Sequence, residues 1–122
     1  MIEGRFGDNG QIYFDIDLVD NEGLSLTVEA MLDTGFTELI AMNKQDVVSL
    51  DWSFLRQDEL MTAQGKATFD IYLGRVAIDC QEFQVPVFAG RDIQEILLGS
   101  QWLKLFTLVA NYGNGQLYLE RT

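Results

Sequence analysis

Ala30-Met31-Leu32-Asp33-Thr34-Gly35-Phe36-Thr37 is the stretch on which the reading of this 122-residue chain turns. An Asp-Thr-Gly tripeptide alone reads as an ordinary turn, because Asp caps its own backbone and Gly accepts a positive φ. Here an apolar run ends at Leu32 and another resumes over Glu38 to Met42. The tripeptide is therefore expected to form a tight loop between two strands, which would hold the Asp33 carboxylate rigidly. Upstream, Ile12, Phe14, Ile16 and Leu18 alternate with Tyr13, Asp15 and Asp17, and Leu24, Leu26, Val28, Ala30 and Leu32 alternate with Ser25, Thr27 and Glu29. A period of two on both sides of Asp20-Asn21-Glu22-Gly23 predicts a hairpin whose second strand delivers Asp33. Asp15, Asp17, Asp20 and Glu22 lack the spacing and central glycine of a calcium loop, and read as solvent-facing strand positions.

Downstream, Asn43 is placed as an N-cap, with Asp46 favourable in the first turn of a helix through Val47, Val48 and Leu50. Residues 51–60 show no clean period and are expected to form a loop, with Trp52, Phe54 and Leu55 plugging the core. Ala67, Phe69, Ile71 and Leu73, a turn around Gly74, Val76 with Ile78, and Phe83, Val85 and Val87 predict a β meander. Ile96-Leu97-Leu98-Gly99 leads into Ser100–Leu105, a short helix with Ser100 as its expected N-cap. Thr107–Ala110 and Gln116–Leu119, joined by Tyr112-Gly113-Asn114-Gly115, end the chain as two strands. The expected fold class is all-β, a small barrel with one or two short helices. The length supports a single domain over 1–122 and is too short for two.

Composition narrows the chemistry. Lys and Arg number 8 against 19 Asp and Glu, for a net charge of −11, which repels phosphate backbones and anionic membranes; neither nucleic acid nor a membrane is an expected partner. The acidic residues are dispersed, as a soluble surface requires, and a preference for basic substrates is the other consequence such a balance can have. The absence of histidine removes Ser-His and Cys-His nucleophilic systems and His-ligated zinc sites, leaving carboxylates as the well-supplied reactive groups. Cys80, the single cysteine, excludes an internal disulfide and is expected to be a buried structural thiol. No apolar run approaches the ~20 residues that span a bilayer, and no signal-peptide profile opens the chain, so a cytoplasmic location is expected.

Three segments together resemble the retropepsin-like aspartic proteases. Met31-Leu32-Asp33-Thr34-Gly35-Phe36-Thr37 is similar to their active-site loop, in the small prokaryotic branch where Phe-Thr follows the tripeptide. Ile96-Leu97-Leu98-Gly99-Ser100-Gln101-Trp102-Leu103 resembles the apolar-apolar-Gly segment that packs behind that loop and leads into the last helix. The hairpin of Met61 to Phe69 occupies the position of the flap, here with one glycine, Gly65. Retroviral members carry Ala or Ser where this chain has Phe36. The resemblance spans nearly the whole chain and implies an acid-protease barrel acting as a dimer, with no metal or organic cofactor. It implies Asp33 as catalytic acid, with Thr34 bonding across the two-fold axis and Gly35 admitting the substrate backbone. Phe36, Thr62, Ala63, Gln64 and Gly65 would lie at the cleft or on the flap, and the terminal strands, Ile2 to Phe6 and Leu117 to Leu119, at the dimer seam unless they pair within the monomer.

The chemistry itself asks for a pair. Two carboxylates ~3 Å apart cannot both ionise, so they share one proton. One then serves as general base to a water while the other, protonated, stabilises the oxyanion and protonates the leaving nitrogen. No second such loop exists in the sequence: Asp8-Asn9-Gly10 follows no apolar strand, and Asn111-Tyr112-Gly113 carries an amide in place of the acid. A homodimer would supply the second Asp33. The expected activity is aspartic endopeptidase, with a peptide or protein as substrate and the chain itself as partner. The alternative is a catalytically inactive dimerisation or peptide-binding module on the same fold.

Overall fold

The computed structural model describes Met1–Thr122. Its strands are β1 (Ile2–Glu3), β2 (Arg5–Phe6), β3 (Ile12–Val19), β4 (Ser25–Leu32), β5 (Ile40–Asn43), β6 (Ser53–Thr62), β7 (Gly65–Ile78), β8 (Gln81–Gly90), β9 (Ile96–Leu98), β10 (Phe106–Asn111) and β11 (Gln116–Arg121). Helix α1 (Lys44–Ser49) follows β5, and a 3₁₀ turn, Ser100–Lys104, follows β9. The order β3-β4-β9-β5-β8-β7 closes on itself because β3 also pairs with β7, through Asp17↔Ala77 and Leu18↔Val76. Six strands thus form a closed barrel, with β2 and β6 outside the ring. β1, β11 and β10 form a separate three-stranded sheet. No helix is long and apolar enough to cross a membrane.

The period-two residues fill this barrel. Phe14, Ile16 and Leu18 meet Ala30, Leu32, Ile40, Met42, Val76, Ile78, Val85, Val87 and Leu98 in one buried cluster, which Trp102, Phe106, Leu117 and Leu119 extend. Each large side chain buried there stabilises the fold by roughly 1.5–3 kcal/mol relative to exposure. Part of the wall is apolar on its other face too. Ala41, Ile71 and Phe88 alternate with core residues on β5, β7 and β8, and form a second cluster with Phe36, Leu60, Phe69, Ile93 and Leu97 packed on it. The β3–β4 hairpin has a polar outer face instead. Asp15 lies directly opposite Glu29, an arrangement that repels unless compensated. Arg5 Nη2 bonds both carboxylates, at 2.8 and 2.6 Å, and these bonds, the one to Asp15 first, hold its pKa above the ordinary value.

Several expectations hold and several are corrected. Asn43 caps α1, its side chain accepting from the Gln45 amide at 2.9 Å, and Asp46 sits in the first turn. Of residues 51–60, expected as a loop, those from Ser53 onward belong to β6; this strand pairs only with β7 and slips register between Phe54 and Arg56, which breaks the alternation. Trp52 is buried as expected, with Nε1 donating to the Val19 carbonyl, but Phe54 and Leu55 are exposed. No turn occurs at Gly74, since β7 runs unbroken to Ile78. That glycine marks close packing: a Cβ there would lie 2.5 Å from Val87 Cγ2. The reversal falls at Asp79-Cys80, both at positive φ, so Cys80 is exposed on a hairpin tip rather than buried. Leu24 and Leu26 are exposed, although Leu26 stands opposite the buried Leu18. Ser100 is not an N-cap; Gly99 holds that place, without a side-chain bond, on a turn that is 3₁₀. The terminal strands pair within the chain, Ile2↔Leu119 and Glu3↔Tyr118, and bury Leu117 and Leu119 in its own core.

Candidate active site

Asp33 sits where β4 ends, on a loop fixed mainly by backbone bonds. β9 inserts between the strands flanking the loop, parallel to β4 (Leu32↔Leu98) and antiparallel to β5 (Ile40↔Leu98). The Asp33 amide donates to the Leu98 carbonyl at 2.9 Å, the Gly99 amide to Leu39 at 2.8 Å and the Ser100 amide to Phe36 at 2.9 Å. Side chains from the 3₁₀ turn complete the backing. Gln101 Nε2 donates to the Thr37 carbonyl at 3.0 Å, and Trp102 Nε1 to that of Leu39 at 2.9 Å. Gly99 is required by space, because a Cβ there would fall 1.9 Å from the Glu38 carbonyl oxygen.

Within the loop, Asp33 Oδ1 accepts from the Gly35 amide at 2.9 Å, and the Phe36 amide donates to the Asp33 carbonyl at 3.1 Å. Asp33 is half-buried, while Thr34 and Gly35 are exposed. Phe36 packs on the outer apolar cluster, edge-on to Phe88 with ring centroids 6.0 Å apart. Thr62, Ala63, Gln64 and Gly65 form the tip of the β6–β7 hairpin, a two-residue loop between the paired Thr62 and Gly65. Thr62 Oγ1 donates to the Gly65 carbonyl at 2.7 Å and accepts from the Gln64 amide. The fold thus unites Asp33, Thr34, Gly35 and Phe36 in one loop, and places the other four on a separate hairpin.

A cleft of about 750 Å³ is lined without Asp33. It lies where β8 parts from β7, between the β6–β7 hairpin and Arg91–Ile93, and its walls include Lys44, Gln57, Lys66, Phe69, Asp70 and Arg91. Lys44 Nζ stands 2.6 Å from one Asp70 oxygen and Gln57 Nε2 donates to the other at 2.9 Å. These two bonds, Lys44's first, hold the Asp70 carboxyl below its usual range. This group has no local signature, because α1, β6 and β7 bring it together from distant positions. The backing by Gln101 and Trp102 was equally hidden, although Leu97-Leu98-Gly99 pointed to the segment.

This arrangement has known counterparts. The crystal structure of a retropepsin-like aspartic protease from Rickettsia conorii superposes with a TM-score of 0.63, at 24% identity, covering 98% of this chain and 88% of that one. This chain has the retropepsin-like fold. The solution structure of simian foamy virus (mac) protease matches the fold as well, with a TM-score of 0.54 at 17% identity, over 75% of this chain and 94% of the other. No family model matches the sequence, and no curated protein matches it significantly. The retropepsin-like fold is therefore visible in three dimensions where overall sequence similarity has faded. In it, Asp33 occupies a loop backed at every step by the segment from Leu97 to Trp102.

Proposed function

We propose that residues 1–122 form one protease domain that works as a homodimeric aspartic endopeptidase, each subunit contributing Asp33. The observation that carries this reading is a carboxylate held half-buried on a loop braced by backbone bonds, in a chain with only one such loop. Asp33 has no acidic partner of its own, so catalysis would require the Asp33 of a second copy across a two-fold axis. The pair would share a proton. The ionised member takes a proton from a water as the water oxygen attacks the scissile carbonyl carbon. The protonated member passes its proton to the carbonyl oxygen; the C–N bond then breaks as the nitrogen takes the proton gained from water and a hydroxyl of the tetrahedral intermediate returns its proton to the pair, which again holds one. Thr34 and Gly35 are both exposed beside the acid, and would meet the second copy and the substrate backbone respectively. The Thr62–Gly65 hairpin would close over the bound peptide.

Asp33→Asn tests the assignment. Cleavage of an unfolded protein substrate should fall by about 10³-fold or more, the scale expected for removal of a general acid–base group. Thermal stability should stay close to wild type. Unchanged cleavage refutes Asp33 as the catalytic acid, and a strict monomer under conditions of full activity refutes the shared pair.

A further inference from the structure

The cationic side chains of this acidic protein are not spread evenly in their pairing. Arg5, Lys44, Arg56 and Arg75 each stand within ion-pairing distance of a carboxylate, and Arg121 lies over the rings of Phe83 and Phe106. Lys66, Arg91 and Lys104 have no carboxylate at that distance. Two of these three, Lys66 and Arg91, line the same cleft. One comes from the flap-like hairpin and the other from the loop after β8.

The carboxylates of the cleft do not cancel them. Asp70 has both oxygens engaged, one by Lys44 and one by Gln57. Asp92 is the only other acidic residue in the lining, against three cations. The cleft is therefore a local positive island on a chain of net charge −11. Its framework is fixed on one side, since Asn43 Nδ2 donates to the Arg91 and Ile93 carbonyls at 3.3 Å and ties that loop to the α1 cap. Ala67, Phe69, Ala89 and Ile93 supply an apolar wall on which methylenes can rest.

We infer that this cleft binds an acidic side chain of the peptide substrate, with the carboxylate between Lys66 and Arg91 and its methylenes against Phe69 and Ile93. The inference deepens the endopeptidase reading and rests on it for the identity of the ligand as a peptide. It also runs against the preference for basic substrates that the overall charge suggests, because a short-range pair of unpartnered cations outweighs a dispersed and screened field at contact distance. Both cations are exposed, so the gain is modest.

Binding to the Asp33→Asn protein separates recognition from turnover. The probes are short fluorescein-labelled peptides, a neutral parent of Ala, Leu and Gln and a series with one Gln replaced by Glu at successive positions. Anisotropy should show one position at which Glu binds about five-fold tighter than Gln, the scale of an exposed ion pair. Lys66→Gln/Arg91→Gln should abolish this preference, while Lys104→Gln should retain it. Lys66→Glu/Arg91→Glu should transfer it to Lys at the same position, a gain that misfolding cannot imitate. Equal binding of Glu and Gln peptides at every position, or a Glu preference that survives the double variant, overturns the inference. Cleavage by wild type without any Glu preference would sink the cleft alone. Glu-selective binding without cleavage would sink the endopeptidase reading alone, and failure of every peptide to bind would overturn both.

Discussion

The Asp33 loop and the β6–β7 hairpin bracket the same proposed activity and are built in opposite ways. The loop is braced by β9 and the 3₁₀ turn, with the Asp33, Gly99 and Ser100 amides and the Gln101 and Trp102 side chains all bonded across it. The hairpin has β6 on its outer side with β7 as its only neighbour, and residues Ser53 to Glu59 are exposed. Its tip is secured by Thr62 bonding to Gly65 and Gln64 across the turn itself. Backbone bonds in a packed wall hold a reacting group to a fraction of an ångström, whereas a strand with one partner opens at low cost. One sheet thus carries a braced acid and a hairpin whose outer strand has a single partner.

Glycines on the two sides give the sharpest contrast. Gly99→Ala places a methyl into the Glu38 carbonyl, which belongs to backbone and cannot swing away. The expected loss is on the order of 3 kcal/mol or more, read from the urea midpoint by far-ultraviolet circular dichroism. A midpoint like that of wild type would mean the loop is not clamped as described. Gly65→Ala meets nothing within 4 Å, so only its φ of +108° is at stake. A cost of about 1 kcal/mol is expected. A loss equal to that of Gly99→Ala would erase the distinction between frame and cover.

The smallest effect concerns the root of the hairpin. Asp70 has a folded-state pKa below its unfolded value of 3.8, chiefly through the bond from Lys44 and then that from Gln57. Its contribution is therefore complete above the unfolded value and is lost as pH falls through the folded one. Comparing Tm for wild type and Asp70→Asn, the advantage of wild type should be present at neutral pH and should shrink as pH drops below about 4. A difference independent of pH would show that the Lys44–Asp70 pair adds nothing to stability.

What could be read in the sequence depended on where the deciding contacts lie. The β3–β4 hairpin, the Asn43 cap and the glycine turn after Asn111 are set by neighbours a few residues away, and the period of two or a capping side chain announces them. β6 was hidden because it has one partner and a register slip at Phe54, so its side chains answer to no buried face. Gly74 looked like a turn because its reason for being glycine is Val87 and Trp52, which only the fold brings near. Cys80 was misplaced by the same cause, since the true reversal uses two residues other than glycine at positive φ. The place of Asp33 on a tight loop was legible from the tripeptide and the strand before it. The cleft of Lys66 and Arg91 has no local signature, because its walls come from α1, β6, β7, β8 and the loop after β8.

The insertion of β9 between β4 and β5 has a consequence for how the molecule comes into being. Trp102 reaches Leu39 across 63 residues of chain and Gln101 reaches Thr37 across 64, so the loop closures that brace Asp33 are among the longest in the protein. Such contacts carry a large closure entropy and form late in folding. During synthesis, Asp33 leaves the ribosome long before Leu98 exists to hold it. A nascent chain therefore carries the acid without its brace, and the positioned carboxylate arises only once synthesis has passed Trp102.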